Sequence, residues 1–225
     1  MPFMVDDQHL CERVLAAAMA MEGGTVPEQT RLELAEDIFG MEDRFVTELE
    51  ASPLPFEIER RQSGARNFVV KRGLVYIHVK SRPNVAILVP PHFVTDFASV
   101  PAAFRWLVPQ DGPYSAAAVI HDWLYSIAAP PKRPPQFRKE RFRADRIFFE
   151  AMRTSGVNVF KNSVLYRAAR LFGAGGFGAL DELRFLDPAS PDRLIDPARF
   201  DKTVLRDFTI LPRPEKPKVR ARLWF

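Results

Sequence analysis

Asn67-Phe68-Val69-Val70-Lys71-Arg72-Gly73-Leu74-Val75-Tyr76-Ile77-His78-Val79, followed by Val85-Ala86-Ile87-Leu88-Val89, constrains the architecture of the chain more than any other segment. It is crowded with β-branched and aromatic residues, in runs too short for helices and bounded by Gly, Pro and Asn. These runs predict strands, with Arg72-Gly73 as the best hairpin turn between the first two. Phe56-Glu57-Ile58-Glu59, just upstream, alternates apolar and acidic residues and predicts a fourth.

Downstream the period changes to that of helices. Segments 114–128, 137–154 and 158–173 carry apolar residues at i, i+3 and i+4 spacing, and Pro130-Pro131-Lys132-Arg133-Pro134-Pro135 joins the first two. Such short connections favour antiparallel neighbours. Between strands and helices lies the loop Asp96-Phe97-Ala98-Ser99-Val100-Pro101, where Ser99 is placed to cap a short helix from Pro101 to Pro109.

Upstream, residues 8–22 and 28–50 show helical spacing, and Ser52-Pro53-Leu54-Pro55 ends it. After Gly173-Ala174-Gly175-Gly176 the helix signals fade, and 187–225 is proline-rich with a basic end from Arg213 to Arg222. The sequence thus predicts an α+β protein in which a small antiparallel sheet is followed by an antiparallel helical layer. An acidic helical arm (1–52), a core (53–186) and an extended, proline-rich basic tail (187–225) are its expected parts.

At 225 residues and 47% hydrophobic, with 19 Phe, the chain is large enough to bury a substantial core. Its longest stretch without a charge, Pro83–Thr95, is well short of the roughly 20 residues that a membrane-spanning helix needs. The apolar run Val14–Met21 follows Asp6, Asp7 and Glu12 rather than lysine or arginine, so classical secretion is not expected. Cys11 is the only cysteine, which excludes an intramolecular disulfide, a cysteine-based zinc finger and an iron–sulfur cluster. The net charge of +4 conceals an asymmetry, because residues 1–50 hold 12 Asp/Glu against 3 Lys/Arg. The rest is a basic body able to attract acidic partners.

The chemistry concentrates on two helices. In 114–128, Tyr114, Ala117, Ala118, His121, Leu124, Tyr125 and Ala128 share one stripe, which aims His121 at the core. In 137–154, Phe142, Asp145, Phe149 and Met152 do the same, so Asp145 is a carboxylate among apolar neighbours and needs a partner. If the helices pack side by side, Asp145 can orient one nitrogen of His121 and leave the other as a general base. Asp122 projects about 100° away, toward the loop of Asp96, and two carboxylates with loop carbonyls suit a hard cation such as Ca²⁺. Blander roles stand beside these: a structural His–Asp pair, a turn and helix cap at Asp96 and Ser99, and a core aromatic at Tyr125.

The succession Thr95-Asp96-Phe97-Ala98-Ser99-Val100-Pro101, Trp106, Pro109, His121-Asp122-Trp123-Leu124-Tyr125, Ala144-Asp145-Arg146-Ile147-Phe148 and Tyr166 resembles an uncharacterised protein family of bacteriophages, prophages and their hosts. The resemblance covers roughly residues 66 to 175. It implies a phage-related origin, synthesis in a bacterial cytoplasm and association with a virion. A second, weaker resemblance joins His121-Asp122-x-x-Tyr125 and Asp145-Arg146 to secreted phospholipases acting at the sn-2 ester. It implies His121 as the activator of water, Asp145 as its orienter, Tyr125 as a brace, and Asp122 with the Asp96 loop as Ca²⁺ ligands.

Two functions follow as expectations. One is a His/Asp hydrolase acting on esters of lipid or envelope material, with Ca²⁺ assistance. The other is a non-catalytic structural or adaptor component of a phage virion or tail, gripping other virion proteins through arm and tail. A third, nucleic-acid binding by Lys132, Arg133, Arg138, Lys139, Arg141, Arg143 and Arg146, has no reading motif and is not expected.

Overall fold

In the computed structural model, residues 44–45, 47–54, 67–79, 85–97, 112–128, 134–179 and 183–212 are described. Six short strands come first: β1 (Arg44–Phe45), β2 (Ala51–Pro53), β3 (Phe68–Val70), β4 (Leu74–His78), β5 (Val85–Val89) and β6 (Val94–Thr95). They form two sheets whose registers are continuous. Phe45 faces Tyr76 across β1 and β4, and Ala51 faces Val70 across β2 and β3 without a slip between the two pairs. Likewise Leu74 faces Val89 and Phe68 faces Thr95 in one register. Three antiparallel ribbons therefore bend together, and each passes from one sheet to the other at the bend.

Arg72-Gly73 lies at that bend, and β3 and β4 do not pair, which corrects the predicted hairpin. The polar groups there are satisfied from upstream instead. Lys71 N–H donates to the Glu50 carbonyl at 2.8 Å. The Thr47 hydroxyl accepts from Val75 N–H at 2.9 Å and donates to the Gly73 carbonyl at 3.0 Å. The same pairing corrects the C-terminal end of the helix predicted over 28–50. Residues 44–45 are a strand because Tyr76 and Ile77 offer them a ladder that local helical preference cannot match. Residues 47–50 are likewise not helical, while the predicted helix 8–22, residues 28–43 and 46 of the second, the strand 56–59, the Ser99 cap with the helix 101–109, and the basic end Arg213–Arg222 lie outside the described residues.

The three predicted helices stand close to their expected bounds as α1 (Ser115–Ser126), α2 (Pro134–Thr154) and α3 (Val159–Phe172). α2 opens on proline, which suits a first turn where amide donors have no helical acceptor. It closes at Gly156, whose φ of +74° is the left-handed C-terminal cap, while Val157 N–H bonds back to the Met152 carbonyl at 3.0 Å. Asn158 then caps α3 by accepting from Phe160 N–H.

The remainder is more regular than the sequence suggested. β7 (Phe185–Asp187) and β8 (Ser190–Ile195) pair as a hairpin, and β9 (Ile210–Pro212) follows α4 (Lys202–Thr209) and joins the edge of β5. α4 has only eight residues, too few to display a period, yet Asp201 caps it through Thr203 and Val204 N–H. Pairing thus crosses both expected boundaries, near 52 and 187.

The protein is α+β, with small antiparallel sheets and a helical layer. Every residue of β4 and β5 is buried, so this sheet is covered on both faces, and Leu74, Ile77, Ile87 and Leu88 each contribute about 1.5–3 kcal/mol. Trp123 of α1 packs edge-on against Phe93 and Phe185 and donates its indole N–H to Thr209 at 3.2 Å. That contact ties α1 to α4 and fixes which face of α1 looks elsewhere. Among the described residues no helix is long and apolar enough to cross a membrane.

Candidate functional site: a buried His–Asp centre

His121 and Tyr125 are one turn apart on α1 and both face α2, where Asp145 meets them. His121 Nε2 lies 3.0 Å from Asp145 Oδ1, and the Tyr125 hydroxyl donates to the same oxygen at 2.6 Å. Arg170 of α3 donates from Nη1 to Asp145 Oδ2 at 2.7 Å. Asp145 has no exposed surface and His121 only 4%, so the carboxylate exists as an anion because three donors surround it.

Geometry and charge agree on the protonation states. Burial alone pushes the Asp145 pKa up, but the His121, Tyr125 and Arg170 donors outweigh it and hold the carboxyl below its ordinary range. Burial likewise opposes the charged imidazole. Asp122 and Asp145 overcome that and raise the His121 pKa above the usual 6.5. The Tyr125 hydroxyl is pushed up by burial first and by the Asp145 charge second, so it remains a donor. Arg170 is held more firmly protonated by its bond to Asp145.

With Nε2 committed to Asp145, the other nitrogen is the chemically open one. Nδ1 of His121 is buried and makes no hydrogen bond among the described residues. Asp122 Oδ1 is 3.9 Å from it, too far for an ordinary hydrogen bond but near enough to act by charge. The other oxygen of Asp122 accepts from the Thr95 hydroxyl at 2.5 Å, and Thr95 Oγ1 in turn accepts from Phe97 N–H at 3.0 Å. Phe97 has φ +59°, a strained backbone for a bulky residue, held by the packing of its ring on Phe68 at 4.5 Å.

The structure therefore gathers His121, Asp145 and Tyr125 into one hydrogen-bonded group, with Asp122 beside it. The loop reaches Asp122 through the Thr95 hydroxyl, and Asp96, half-buried, is the next residue along. Sequence reasoning missed Arg170 and Thr95. Arg170 was findable in principle, since a buried carboxylate meeting only a histidine and a tyrosine lacks a cation, and α3 carries few candidates. Thr95 was hidden behind Asp96, the more obvious ligand.

Two packing details hold the group. The His121 ring lies against the rings of Tyr125 and Phe148, with centroids 4.1 and 4.7 Å away. Gly173, just after α3, touches Tyr125: a Cβ there would stand 2.7 Å from the Ala169 carbonyl and 3.0 Å from the Tyr125 hydroxyl. Only glycine lets α3 end this close to α1.

Fold and site define an α+β domain built around a buried, three-donor His–Asp centre. Residues 66–169 match a protein family of unknown function, DUF1353, and so hold every member of the centre except Arg170. No curated protein and no solved structure matches the chain.

Proposed function

We propose that the protein hydrolyses carboxylic esters of lipid or envelope material through a His121–Asp145 dyad. The observation that carries this reading is the pair of unlike nitrogens on His121: Nε2 is fixed by a fully satisfied carboxylate, while Nδ1 has no hydrogen-bond partner among the described residues. In this reading Nδ1 takes a proton from water as the water oxygen bonds to the ester carbonyl carbon, whose π electrons move onto its oxygen. When the intermediate collapses, the bond to the alcohol oxygen breaks and the imidazolium returns the proton to that oxygen. Asp145 is a positioning residue that also stabilises the imidazolium, and Tyr125 and Arg170 keep it ionised.

A hard cation asks for about six to eight oxygen ligands. Among the described residues no three His, Cys, Asp or Glu side chains are gathered to hold one. Ca²⁺ assistance through Asp122 and Asp96 is a separate proposal, read by comparing turnover in Ca²⁺ and in chelator.

The test is turnover of short-chain esters and phospholipid vesicles by the full chain. His121→Ala is expected to lower turnover about 10²–10⁴-fold with the melting transition retained. The wild-type rate should climb with pH on the alkaline side of 6.5, where the raised His121 pKa releases the base. Unchanged turnover in His121→Ala, or no turnover by the wild type on either substrate, overturns the proposal.

A second reading, a structural or adaptor part of a phage particle, is favoured by α3. Val159, Phe160, Leu171 and Phe172 there are 78%, 68%, 73% and 59% exposed, a concentration of large apolar side chains that suits a protein contact. Phe160→Glu with Leu171→Glu would then block assembly while leaving any ester turnover intact.

A further inference from the structure

We propose that the cleft between α1, α2, β5 and α4 is a binding site for short unbranched fatty-acid carboxylates, independent of the hydrolytic reading. It is a cavity of about 90 Å³ with walls that include Val85, Ile87, Ile127, Ile147, Phe177 and Ile210. That is the room of about three waters, or of a short run of methylenes. Its charged lining is Glu140, Arg143 and Arg206.

The charges do not balance. Glu140 accepts from Arg206 at 3.0 Å, which settles one guanidinium. Arg143 makes no hydrogen bond or ion pair among the described residues, so the lining carries one positive charge in excess. Arg143 is an exposed residue, but desolvation beside the cleft and the neighbouring Arg206 charge both oppose its cation, with Glu140 giving only partial relief. An anion beside Arg143 removes that opposition.

The walls then choose among anions. A hydrated inorganic ion gains nothing from Ile127, Ile147 and Phe177, and an alcohol gains nothing from Arg143. A carboxylate with an apolar tail uses both, since guanidinium and carboxylate form two parallel hydrogen bonds while the tail leaves water. Neither His121 nor Asp145 lines the cleft.

The experiment is calorimetric titration of the full chain with butanoate, hexanoate and hexan-1-ol, with methyl NMR shifts locating the ligand. Affinity is expected to rise about fourfold per methylene from butanoate to hexanoate. Hexan-1-ol should bind at least about tenfold more weakly, and Arg143→Gln should cost hexanoate a similar factor without lowering the melting temperature. Methyl shifts should fall on Ile87, Ile127 and Ile147. Absent hexanoate binding, equal affinity for hexan-1-ol, an unaffected Arg143→Gln variant, or shifts away from these isoleucines each overturns the proposal.

Discussion

Of the three carboxylates on α2, Glu140 and Asp145 lie five residues apart and each meets an arginine from a later helix, but in opposite surroundings. Asp145, with no exposed surface, pairs at 2.7 Å with Arg170, whose side chain stays 31% exposed, inside a group that also holds His121 and Tyr125. Glu140 pairs with Arg206 at 3.0 Å with both side chains 36% exposed, at the rim of an apolar cleft. The contact is the same in kind; what differs is the water around it. Water screens the outer pair and leaves it nearly neutral for stability. The inner carboxylate was stripped of water on folding and stays ionised only because its hydrogen bonds are complete.

The largest effect that could break this comparison is at Asp145. Asp145→Ala leaves a buried imidazole N–H and phenol hydroxyl without their acceptor and frees the half-buried Arg170 guanidinium, a loss of about 2–5 kcal/mol. For a chain of this length that lowers the melting temperature by about 10 °C. A shift of less than about 2 °C in a thermal melt would mean that the inner pair is no more demanding than the outer one.

Gly173 comes next. Gly173→Ala places a methyl 2.7 Å from the Ala169 carbonyl and 3.0 Å from the Tyr125 hydroxyl, so backbone or ring must move, at a cost of about 1–3 kcal/mol. Part of that cost belongs to Tyr125. In a Tyr125→Phe background the alanine should cost less, and a double-mutant cycle by denaturant titration measures the difference. Additive costs would show that the glycine serves α3 alone.

pH sharpens the comparison through the inner group, because its partners titrate in opposite senses. His121 has a folded pKa above 6.5, so its stabilisation is complete below 6.5 and is lost as pH rises through the folded value. Asp145 has a folded pKa below 3.8, so its share is complete above 3.8 and is lost as pH falls through the folded value. Stability from this group should therefore be greatest between those two pH values. His121→Gln should flatten the alkaline decline in melting temperature, and an unchanged decline would place its origin elsewhere.

The sequence made the inner group partly legible because helical periodicity is a strong signal. His121, Tyr125 and Asp145 fall on stripes whose facing follows from spacing alone, and α1 to α3 lie within a few residues of their expected ends. What it hid depends on long-range pairing. Arg72-Gly73 reads as a turn in isolation, yet Thr47 and Glu50 claim its polar groups from more than twenty residues away. Residues 44–45 read as helix until Tyr76 and Ile77 are brought alongside. Arg170 can be sought only once Asp145 is placed in the core, because nothing local to α3 says that a carboxylate on α2 will need it.

The smallest expected effect is at Glu140, and it separates stability from binding. Glu140→Gln removes one half of an ion pair that water already screens, so the loss should stay below about 1 kcal/mol and shrink further in salt, as the Debye length falls from about 8 to 3 Å. A loss as large as that of Asp145→Ala would erase the distinction between the two pairs. The same substitution takes the only carboxylate among the described lining residues and leaves Arg143 and Arg206 without opposition. It should therefore strengthen hexanoate binding while barely moving the melt, whereas the inner pair offers no substitution that is quiet in stability. A charge pair left at a wet rim can be rebalanced by a ligand, and a carboxylate sealed between three helices can only be kept fully partnered.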